Sequence, residues 1–191
     1  KCMYPELGRR VGHVVTVVCG PVDHTAKSRY SLNDIFRAIE KAPKPVILAV
    51  KQDFPPEMKG INGLMGGMMM SSFRTLGVEG VLSDGPSRDL DEVRNFDIQY
   101  MLTGITPGHG EFEVRAINVP VEICGMDLMP GEIVHMDENG ACKFPADQAE
   151  NVLESCQKFS ESEGDKQKRI MEATTAEEVI RIWSGEGYSK T

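Results

Sequence analysis

Residues 63–92, GLMGGMMMSSFRTLGVEGVLSDGPSRDLDE, decide the fold. The first half predicts a helix that opens on Gly66 and Gly67 and closes at Gly77, because apolar positions recur at helical spacing between these glycines. The β-branched run VEGVLSD then predicts a strand. A turn, a short helix through RDLDEVRNF and another strand around Ile98–Leu102 follow. This alternation of helices and strands predicts an α/β protein.

The residues upstream fit the same alternation. Val11–Val18 and Val46–Val50 are almost continuously apolar, which is typical of central strands covered on both faces. Between them, Ser31 caps a predicted helix, SLNDIFRAIEKA. From Val119 onward, short apolar runs broken by Gly and Pro indicate hairpins.

The C-terminal part is expected to be helical. ADQAENVLESCQKF and TTAEEVIRIW both have amphipathic helical spacing, and the charged residues 161–169 are expected to form a solvated connection between them. We therefore predict a single domain over residues 1–160 and a helical extension over residues 161–191. Because the chain begins with Lys1 close to its first strand, we also expect further residues upstream in the natural protein.

Composition excludes several classes of function. The formal net charge of -8 opposes binding to nucleic acid. We expect no membrane segment, because no apolar run approaches the ~20 residues that span a bilayer and no secretory signal is evident. The five cysteines contain no Cys-x-x-Cys pair, so we expect reduced thiols, mostly in the core, and a cytoplasmic or other reducing compartment.

Two features of residues 63–92 suggest chemistry. Backbone N–H groups at the start of the Gly66–Gly67 helix could hold a carboxylate or a phosphate, although a glycine pair also serves as a simple turn. Arg88 and Asp89 follow a strand, and together they offer a planar cation for an anion and a hard oxygen ligand for Mg²⁺ or Mn²⁺. The alternative is an exposed helix start in which Asp89 and Glu92 only complement the helix dipole.

Other polar candidates are weaker. His109, in the glycine-rich loop TPGHGEFE, could approach a substrate or carry a proton, but a lone loop histidine is more often solvent-exposed. His13, His24 and His135 have no partner at metal-ligand spacing. The methionines at 68–70 are expected to fill core or subunit contacts rather than to bind a soft metal.

Residues 10–153 resemble the RraA-like family, which includes hydroxymethyl-oxoglutarate aldolases, oxaloacetate decarboxylases and noncatalytic regulators of ribonuclease E. The resemblance rests on residues 63–93, on ITPG and on VPVEICGMDLMPGEIVHMDENGACKFPADQAENVL. It also rests on a glycine, about twenty residues, and then Arg-Asp-x-x-Glu, here Gly67, Arg88, Asp89 and Glu92. It implies a layered β/β/α fold of the swivelling-domain type.

The resemblance further implies a metal-dependent lyase of the class II pyruvate aldolase or oxaloacetate decarboxylase type. Asp89 would hold Mg²⁺ or Mn²⁺, Arg88 would lie beside the keto oxygen of a 2-oxo acid, and backbone N–H groups near Met68 and Met69, after Gly66 and Gly67, would receive its carboxylate. Glu92 is a further candidate for the site. Family members also form trimers or hexamers with active sites at subunit boundaries, so a homotrimer or homohexamer is expected here.

The sequence departs from the aldolases of the family at one position of the cradle. Aldolases often carry an acidic residue directly after the first glycine, where this chain has Gly67, so metal binding could be weaker or another carboxylate could substitute. Two alternatives therefore stay open. The protein could be a catalytically silent interaction protein, against which Glu92 argues, or the fold could serve another enolate or proton-transfer reaction.

Overall fold

Seven strands form a mixed sheet in a computed structural model of the protein, which describes residues 1–185. The strands of the chain are β1 (Arg10–Gly20), β2 (Val46–Gln52), β3 (Val78–Ser83), β4 (Gln99–Met101), β5 (Glu113–Ile117), β6 (Val121–Ile123), β7 (Met126–Leu128), β8 (Ile133–Asp137) and β9 (Gly140–Phe144). Their order across the sheet is β4–β3–β2–β1–β8–β9, and β5 also pairs with β1. The first four strands are parallel and the others antiparallel, so β1 and β2 are central, as predicted.

Helices connect the parallel strands. The helices of the first part of the chain are α1 (Leu32–Lys41), α2 (Pro56–Lys59), α3 (Gly67–Thr75) and α4 (Leu90–Val93). Helix α1 begins with the predicted cap, in which Asp34 Oδ2 accepts hydrogen bonds from the backbone N–H of Ser31 at 2.9 Å and from its hydroxyl at 2.7 Å. Helix α3 begins at Gly67 after Gly66, with no side-chain cap, so its first N–H groups are left for other acceptors.

The two faces of the sheet are covered differently, because successive side chains of a strand point to opposite faces. On one face, Val15 and Leu48 belong to a buried cluster that includes Ile35 of α1 and Phe73 of α3. On the other face, a second cluster joins residues of the sheet to the hairpin β6–β7; it contains Val14, Ile47, Ala49, Leu82, Val121, Ile123 and Leu128. The layers are therefore hairpin, sheet and helices, which confirms the β/β/α architecture.

The chain forms two compact units, Lys1–Ala146 and Asp147–Thr191. In the second, α5 (Ala149–Glu172) is continuous and α6 (Ala176–Trp183) begins with a Thr175–Glu178 capping box. The stretch 161–169 is mostly exposed, as expected, but it does not connect two separate helices, because α5 continues through it. Its Glu, Lys, Gln and Arg residues favour helix, which outweighs the single Gly164. Residue 160 therefore lies inside a helix, and the units divide near residue 146.

All five cysteines are free thiols. Cys19 is buried and Cys2 is half-buried, whereas Cys124, Cys142 and Cys156 are exposed, so the expectation that most of them fill the core is wrong. The three exposed cysteines lie in the β-hairpins and in α5. The local sequence of these elements does not show which positions face solvent and which face the core. Within residues 1–185, none of the helices combines the length and the apolar character that crossing a bilayer demands.

Candidate active site

The start of α3 and the turn after β3 meet at the candidate site. The backbone N–H of Gly67 donates a hydrogen bond to Asp89 Oδ2 at 3.1 Å, and Arg88 Nε lies 3.4 Å from the same oxygen. The guanidinium of Arg88 also donates to the carbonyl oxygen of Gly63, the residue that opens the 63–92 stretch. The structure thus brings together the glycine pair and the Arg-Asp pair that the sequence singles out.

Asp89 has a left-handed backbone conformation, with φ 60° and ψ 36°. Asp and Asn are among the few residues other than glycine that adopt this conformation readily. The conformation ends the turn and starts α4, in which the Val93 N–H donates to the Asp89 carbonyl at 2.9 Å. The Asp89 side chain remains 39% exposed, whereas that of Arg88 is 18% exposed. The carboxylate is thus accessible from solvent while its backbone is held.

Both glycines of the cradle lie in close contact with charged side chains of the turn after β3 and of α4. A Cβ atom at Gly66 would collide with the Asp89 carboxylate and lie 2.7 Å from Arg88 Nε. A Cβ atom at Gly67 would collide with the carboxylate of Glu92. The Glu92 carboxylate therefore lies against the backbone of Gly67, in the space that a side chain at position 67 would need. Sequence spacing alone did not reveal this contact.

A cleft of about 770 Å³ opens at this place. Its lining residues are Arg88, Asp89, Leu90, Asp91, Glu92, Ile105, Thr106 and Pro107. The ITPG motif thus contributes to the wall of the cleft that contains the Arg-Asp pair. Three carboxylates and one guanidinium face the cleft, so it can hold a cation and an anionic group side by side.

Two backbone donors remain available at the start of α3. Met70 N–H donates to the Gly66 carbonyl at 3.0 Å and Gly67 N–H is bound to Asp89, whereas the N–H groups of Met68 and Met69 have no acceptor within residues 1–185. A helix N-terminus attracts negative charge. The expected cradle for a substrate carboxylate therefore has one N–H donor fewer, because the Gly67 N–H is already bound to the protein's own Asp89.

The methionines of this helix are mostly internal. Met65, Met70 and Phe73 are buried and Met69 packs against the core, whereas Met68 is 83% exposed. The apolar surface expected to meet a neighbouring chain is thus limited at this helix to Met68. The homotrimer or homohexamer stays a prediction.

Two buried hydroxyls, those of Tyr100 and Ser87, lie next to the site, and no sequence pattern predicted their role. The Tyr100 hydroxyl donates to Ser87 Oγ at 2.5 Å and lies 3.0 Å from the Met65 carbonyl, to which the Ser87 hydroxyl donates. Met65 directly precedes the glycine pair and Ser87 directly precedes Arg88. Burial raises the pKa of Tyr100, so its hydroxyl stays protonated. Tyr100 therefore ties the two halves of the site together.

We expect Tyr100→Phe to destabilise the protein by about 1–2 kcal/mol, because the buried Ser87 hydroxyl and Met65 carbonyl lose a partner. Urea unfolding monitored by circular dichroism measures this change. The matched control is Tyr30→Phe, since the Tyr30 hydroxyl makes no hydrogen bond within residues 1–185, and it should leave the midpoint unchanged. Equal midpoints for the two variants would contradict the supporting role of Tyr100.

A second tyrosine holds the far end of the turn. The Tyr4 hydroxyl donates to the Leu90 carbonyl at 2.7 Å, and burial raises the pKa of Tyr4 to about 12. The guanidinium of Arg94 lies 5.0 Å from the centre of the Tyr4 ring. The contact fixes the first residue of α4, and no motif in the sequence indicates it.

His109 does not line this cleft. It lies instead in a separate cleft with His24, Asn62 and Glu111. Thr106 and Pro107 of the same loop line the first cleft, and the loop then turns at Gly108. The position of His109 therefore gives no support to a role near the substrate. His13 and His135 line neither of these two clefts.

The described part of the chain contains no group of three or more His, Cys, Asp or Glu side chains arranged to hold a metal ion. Mg²⁺ nevertheless often binds through one or two carboxylates and keeps several waters. Asp89 fits this requirement, since its second oxygen, Oδ1, makes no hydrogen bond within residues 1–185 and the side chain faces the cleft. The donor set thus suits a hydrated hard cation and does not suit a zinc ion with four protein ligands.

Comparison with known proteins identifies the family of the chain. The sequence model of the family described as RraA-like, Aldolase/RraA, matches residues 1–142. An uncharacterized protein of Methanocaldococcus jannaschii is 25% identical over 127 residues, which cover 66% of this chain and 61% of that protein. A 4-hydroxy-4-methyl-2-oxoglutarate aldolase of Thermus thermophilus is 29% identical over 83 residues, 43% of this chain and 51% of that enzyme. The chain thus matches less than two thirds of the length of either relative.

A solved structure supports the fold. RraAS2 of Streptomyces coelicolor, described as an unusual member of the RNase ES inhibitor RraA protein family, has a TM-score of 0.69 at 24% identity, over 85% of this chain and 78% of that chain. The family match spans both the Gly66–Gly67 helix start and the Arg88–Asp89 turn. Since the match also covers most of the sheet that positions these residues, the chain belongs to the RraA-like family.

Proposed function

We propose that the protein is a divalent-metal-dependent carbon–carbon lyase that acts on a 2-oxo acid, as an aldolase or a decarboxylase. One observation carries this proposal: Arg88 and Asp89 line one cleft, and the Asp89 carboxylate also receives the first N–H of α3. The name of the Thermus relative supports the same class of reaction. Both reactions pass through the enolate of pyruvate, so one site can serve either.

The chain's own groups suit binding of the substrate's 2-oxo acid end. The free N–H groups of Met68 and Met69 would donate to its carboxylate at the positive end of α3. Arg88 would donate to the keto oxygen, because its guanidinium faces the cleft and is held in place by Gly63 and Asp89. The two ends of the 2-oxo acid group would thus be fixed by two different elements of the fold.

Breaking the carbon–carbon bond leaves its electron pair on the pyruvate fragment. In the aldol cleavage the hydroxyl of the departing fragment gives its proton to water as its carbonyl forms, whereas in the decarboxylation the departing carboxylate leaves as CO₂. The negative charge that develops on the keto oxygen would face the guanidinium of Arg88, which stabilises it. The enolate then takes up a proton at its terminal carbon to give pyruvate. The preorganised position of Arg88 lowers the cost of this charge because no solvent has to reorganise around it.

Asp89 would hold Mg²⁺ or Mn²⁺, which when bound supplies Lewis-acid stabilisation of the substrate's oxygens. Glu92 is the carboxylate that substitutes for the missing acidic side chain at position 67, since its carboxylate already lies against Gly67. A glutamate reaching in from α4 can thus offer negative charge at the place where aldolases of the family offer it from the cradle itself. This arrangement favours a working metal site despite the glycine.

The test is pyruvate formation from oxaloacetate and from 4-hydroxy-4-methyl-2-oxoglutarate, coupled to NADH oxidation by lactate dehydrogenase. We expect turnover with Mg²⁺ or Mn²⁺, loss of turnover with EDTA, and recovery when metal is added back. The uncatalysed decay of oxaloacetate with the same metal and without protein sets the background. The absence of metal-dependent turnover above this background on both substrates would remove the proposal.

A second candidate function is that of a catalytically silent interaction protein. Asp89 Oδ2 is already neutralised by Arg88 and by the Gly67 N–H, so the pair could be purely structural. Failure to bind Mn²⁺, together with recovery of a stoichiometric protein partner, would favour this function. Mn²⁺ binding without turnover of either substrate would instead indicate a different enolate or proton-transfer reaction.

A further inference from the structure

A second cleft, of about 470 Å³, lies beside the glycine-rich loop and shares no lining residue with the first. Pro107 lines the first cleft and His109 lines the second, and Gly108 between them accepts a 3.0 Å hydrogen bond from the Gly63 N–H. The proposed lyase reaction uses none of the residues of the second cleft. Its residues include His24, Met58, Ile61, Asn62, His109 and Glu111.

Asn62 is the unusual residue of this cleft. Its side chain is only 5% exposed, and its Oδ1 is buried without a hydrogen-bond partner. Its amide nitrogen likewise makes no hydrogen bond to any residue in the range 1–185. A buried polar group without a partner costs the folded state free energy, and such groups are rare in proteins. A carboxamide held this way is suited to a partner that enters from the cleft.

The loop above Asn62 is built to approach it closely. A Cβ atom at Gly110 would lie 3.0 Å from Asn62 Oδ1, and a Cβ atom at Gly108 would collide with the carbonyl of Ile61. The glycines of TPGHGEFE therefore let the loop backbone pass over residues 61–62 without covering the carboxamide with a side chain. The motif has a local physical role that does not involve the first cleft.

The chemistry of the carboxamide specifies the ligand. A carboxamide presents an acceptor, Oδ1, and a donor, the NH₂ group, side by side. A carboxylate would leave Oδ1 without a donor, and an ammonium would leave the NH₂ group without an acceptor. A group with N–H and C=O on one edge satisfies both at once with two parallel hydrogen bonds. Met58 and Ile61 add exposed apolar surface for the body of such a ligand.

We propose that the second cleft binds a small neutral molecule with an amide or ureido edge, whose N–H donates to Asn62 Oδ1 and whose C=O accepts from the Asn62 NH₂ group. His24 and His109 border the ligand, and Glu111 offers a further acceptor to a ureido group. This site is independent of the lyase reaction, so either proposal can fail without the other.

A matched pair of ring compounds tests the proposal on the full chain. 2-Pyrrolidinone carries N–H and C=O on one edge, whereas cyclopentanone has nearly the same shape and lacks the N–H. Histidine ring signals in NMR spectra of ¹³C-histidine-labelled protein report binding, with His13 and His135 as internal controls outside the cleft. We expect 2-pyrrolidinone to shift the signals of His24 and His109 with a Kd of about millimolar, as six heavy atoms permit.

Cyclopentanone should bind at least about 10-fold more weakly, because it leaves Asn62 Oδ1 unpaired. Equal shifts with both compounds would overturn the assignment of the N–H to Asn62. No shift of His24 or His109 with either compound, up to their solubility limits, would overturn the site itself and leave a trapped water as the partner of Asn62. Both comparisons use the unmodified chain and do not depend on the folding of a variant.

Asn62→Leu separates binding from folding. The variant should lose the response to 2-pyrrolidinone while its melting temperature stays the same or rises, since it removes an unpaired buried polar group and keeps the number and branching of the side-chain heavy atoms. Asn33→Leu, at an exposed position of α1, is the control and should keep the response. A lowered melting temperature with retained binding in Asn62→Leu would show that the carboxamide serves the fold and not a ligand.

Discussion

Asp89→Asn is expected to abolish metal-dependent pyruvate formation and to weaken Mn²⁺ binding by at least about 10²-fold, since even an outer partner of a metal ligand can be worth that much. Asparagine is the informative replacement because it also adopts the left-handed backbone of residue 89. It keeps an oxygen for the Gly67 N–H as well. Free Mn²⁺, measured by electron paramagnetic resonance during titration, and the coupled pyruvate assay give the two readouts.

Asp91→Asn is the matched control for this prediction. Asp91 lines the same cleft and the substitution removes the same charge, but the residue belongs to α4 and makes no contact with the start of α3 that the structure records. It should retain Mn²⁺ binding and turnover. If both variants lost Mn²⁺ affinity to the same extent, the metal would be attracted by the total charge of the cleft and Asp89 would not be its ligand.

The elements that the sequence predicted best are those whose patterns are local. The apolar runs of β1 and β2, the Ser31–Asp34 cap and the glycine-bounded helix α3 are each specified within about a dozen residues, and all were found where predicted. The sequence predicts the exposure of residues 161–169 but not their continuity with α5. High charge indicates a solvated stretch, and since Glu, Lys and Arg are also good helix formers, charge alone does not locate the end of a helix.

The candidate site was predictable only in part, because its support comes from residues far apart in the chain. The spacing from Gly67 to Arg88 pointed to the residues that meet. The contact of Glu92 with Gly67 and the hydroxyl of Tyr100 beneath Ser87 depend on how the helices and strands pack, and a tyrosine in a strand has the same pattern whether or not its hydroxyl is used. His109 is an exposed loop histidine, the alternative that the sequence favoured, and its position in the second cleft was not predictable because neighbouring residues of one loop line two clefts.

Arg88→Ala is expected to lower kcat by at least ~10²-fold at saturating metal, because the variant loses the donor that faces the developing enolate oxygen. Mn²⁺ affinity should change far less, since Asp89 keeps its hydrogen bond from the Gly67 N–H. This split between turnover and metal binding distinguishes the Arg88 variant from the Asp89 variant. The coupled assay under saturating Mn²⁺ and the Mn²⁺ titration measure the two quantities.

Arg88 also donates to the Gly63 carbonyl, so a framework role of Arg88 in the wall of the cleft has to be distinguished from a catalytic role. Added guanidinium ion distinguishes the two roles: the ion can enter the space left in Arg88→Ala and should restore part of kcat if the charge acts on the substrate. Arg37→Ala removes an exposed arginine that pairs with Asp34 in α1, outside the cleft, and it should leave kcat unchanged with no response to guanidinium. Arg88→Lys keeps the charge but not the planar fork, so its kcat should fall between those of the wild type and Arg88→Ala. Wild-type kcat in Arg88→Ala would assign Arg88 to the framework of the site rather than to its chemistry. The same conclusion would follow if turnover fell together with Mn²⁺ binding and did not respond to guanidinium.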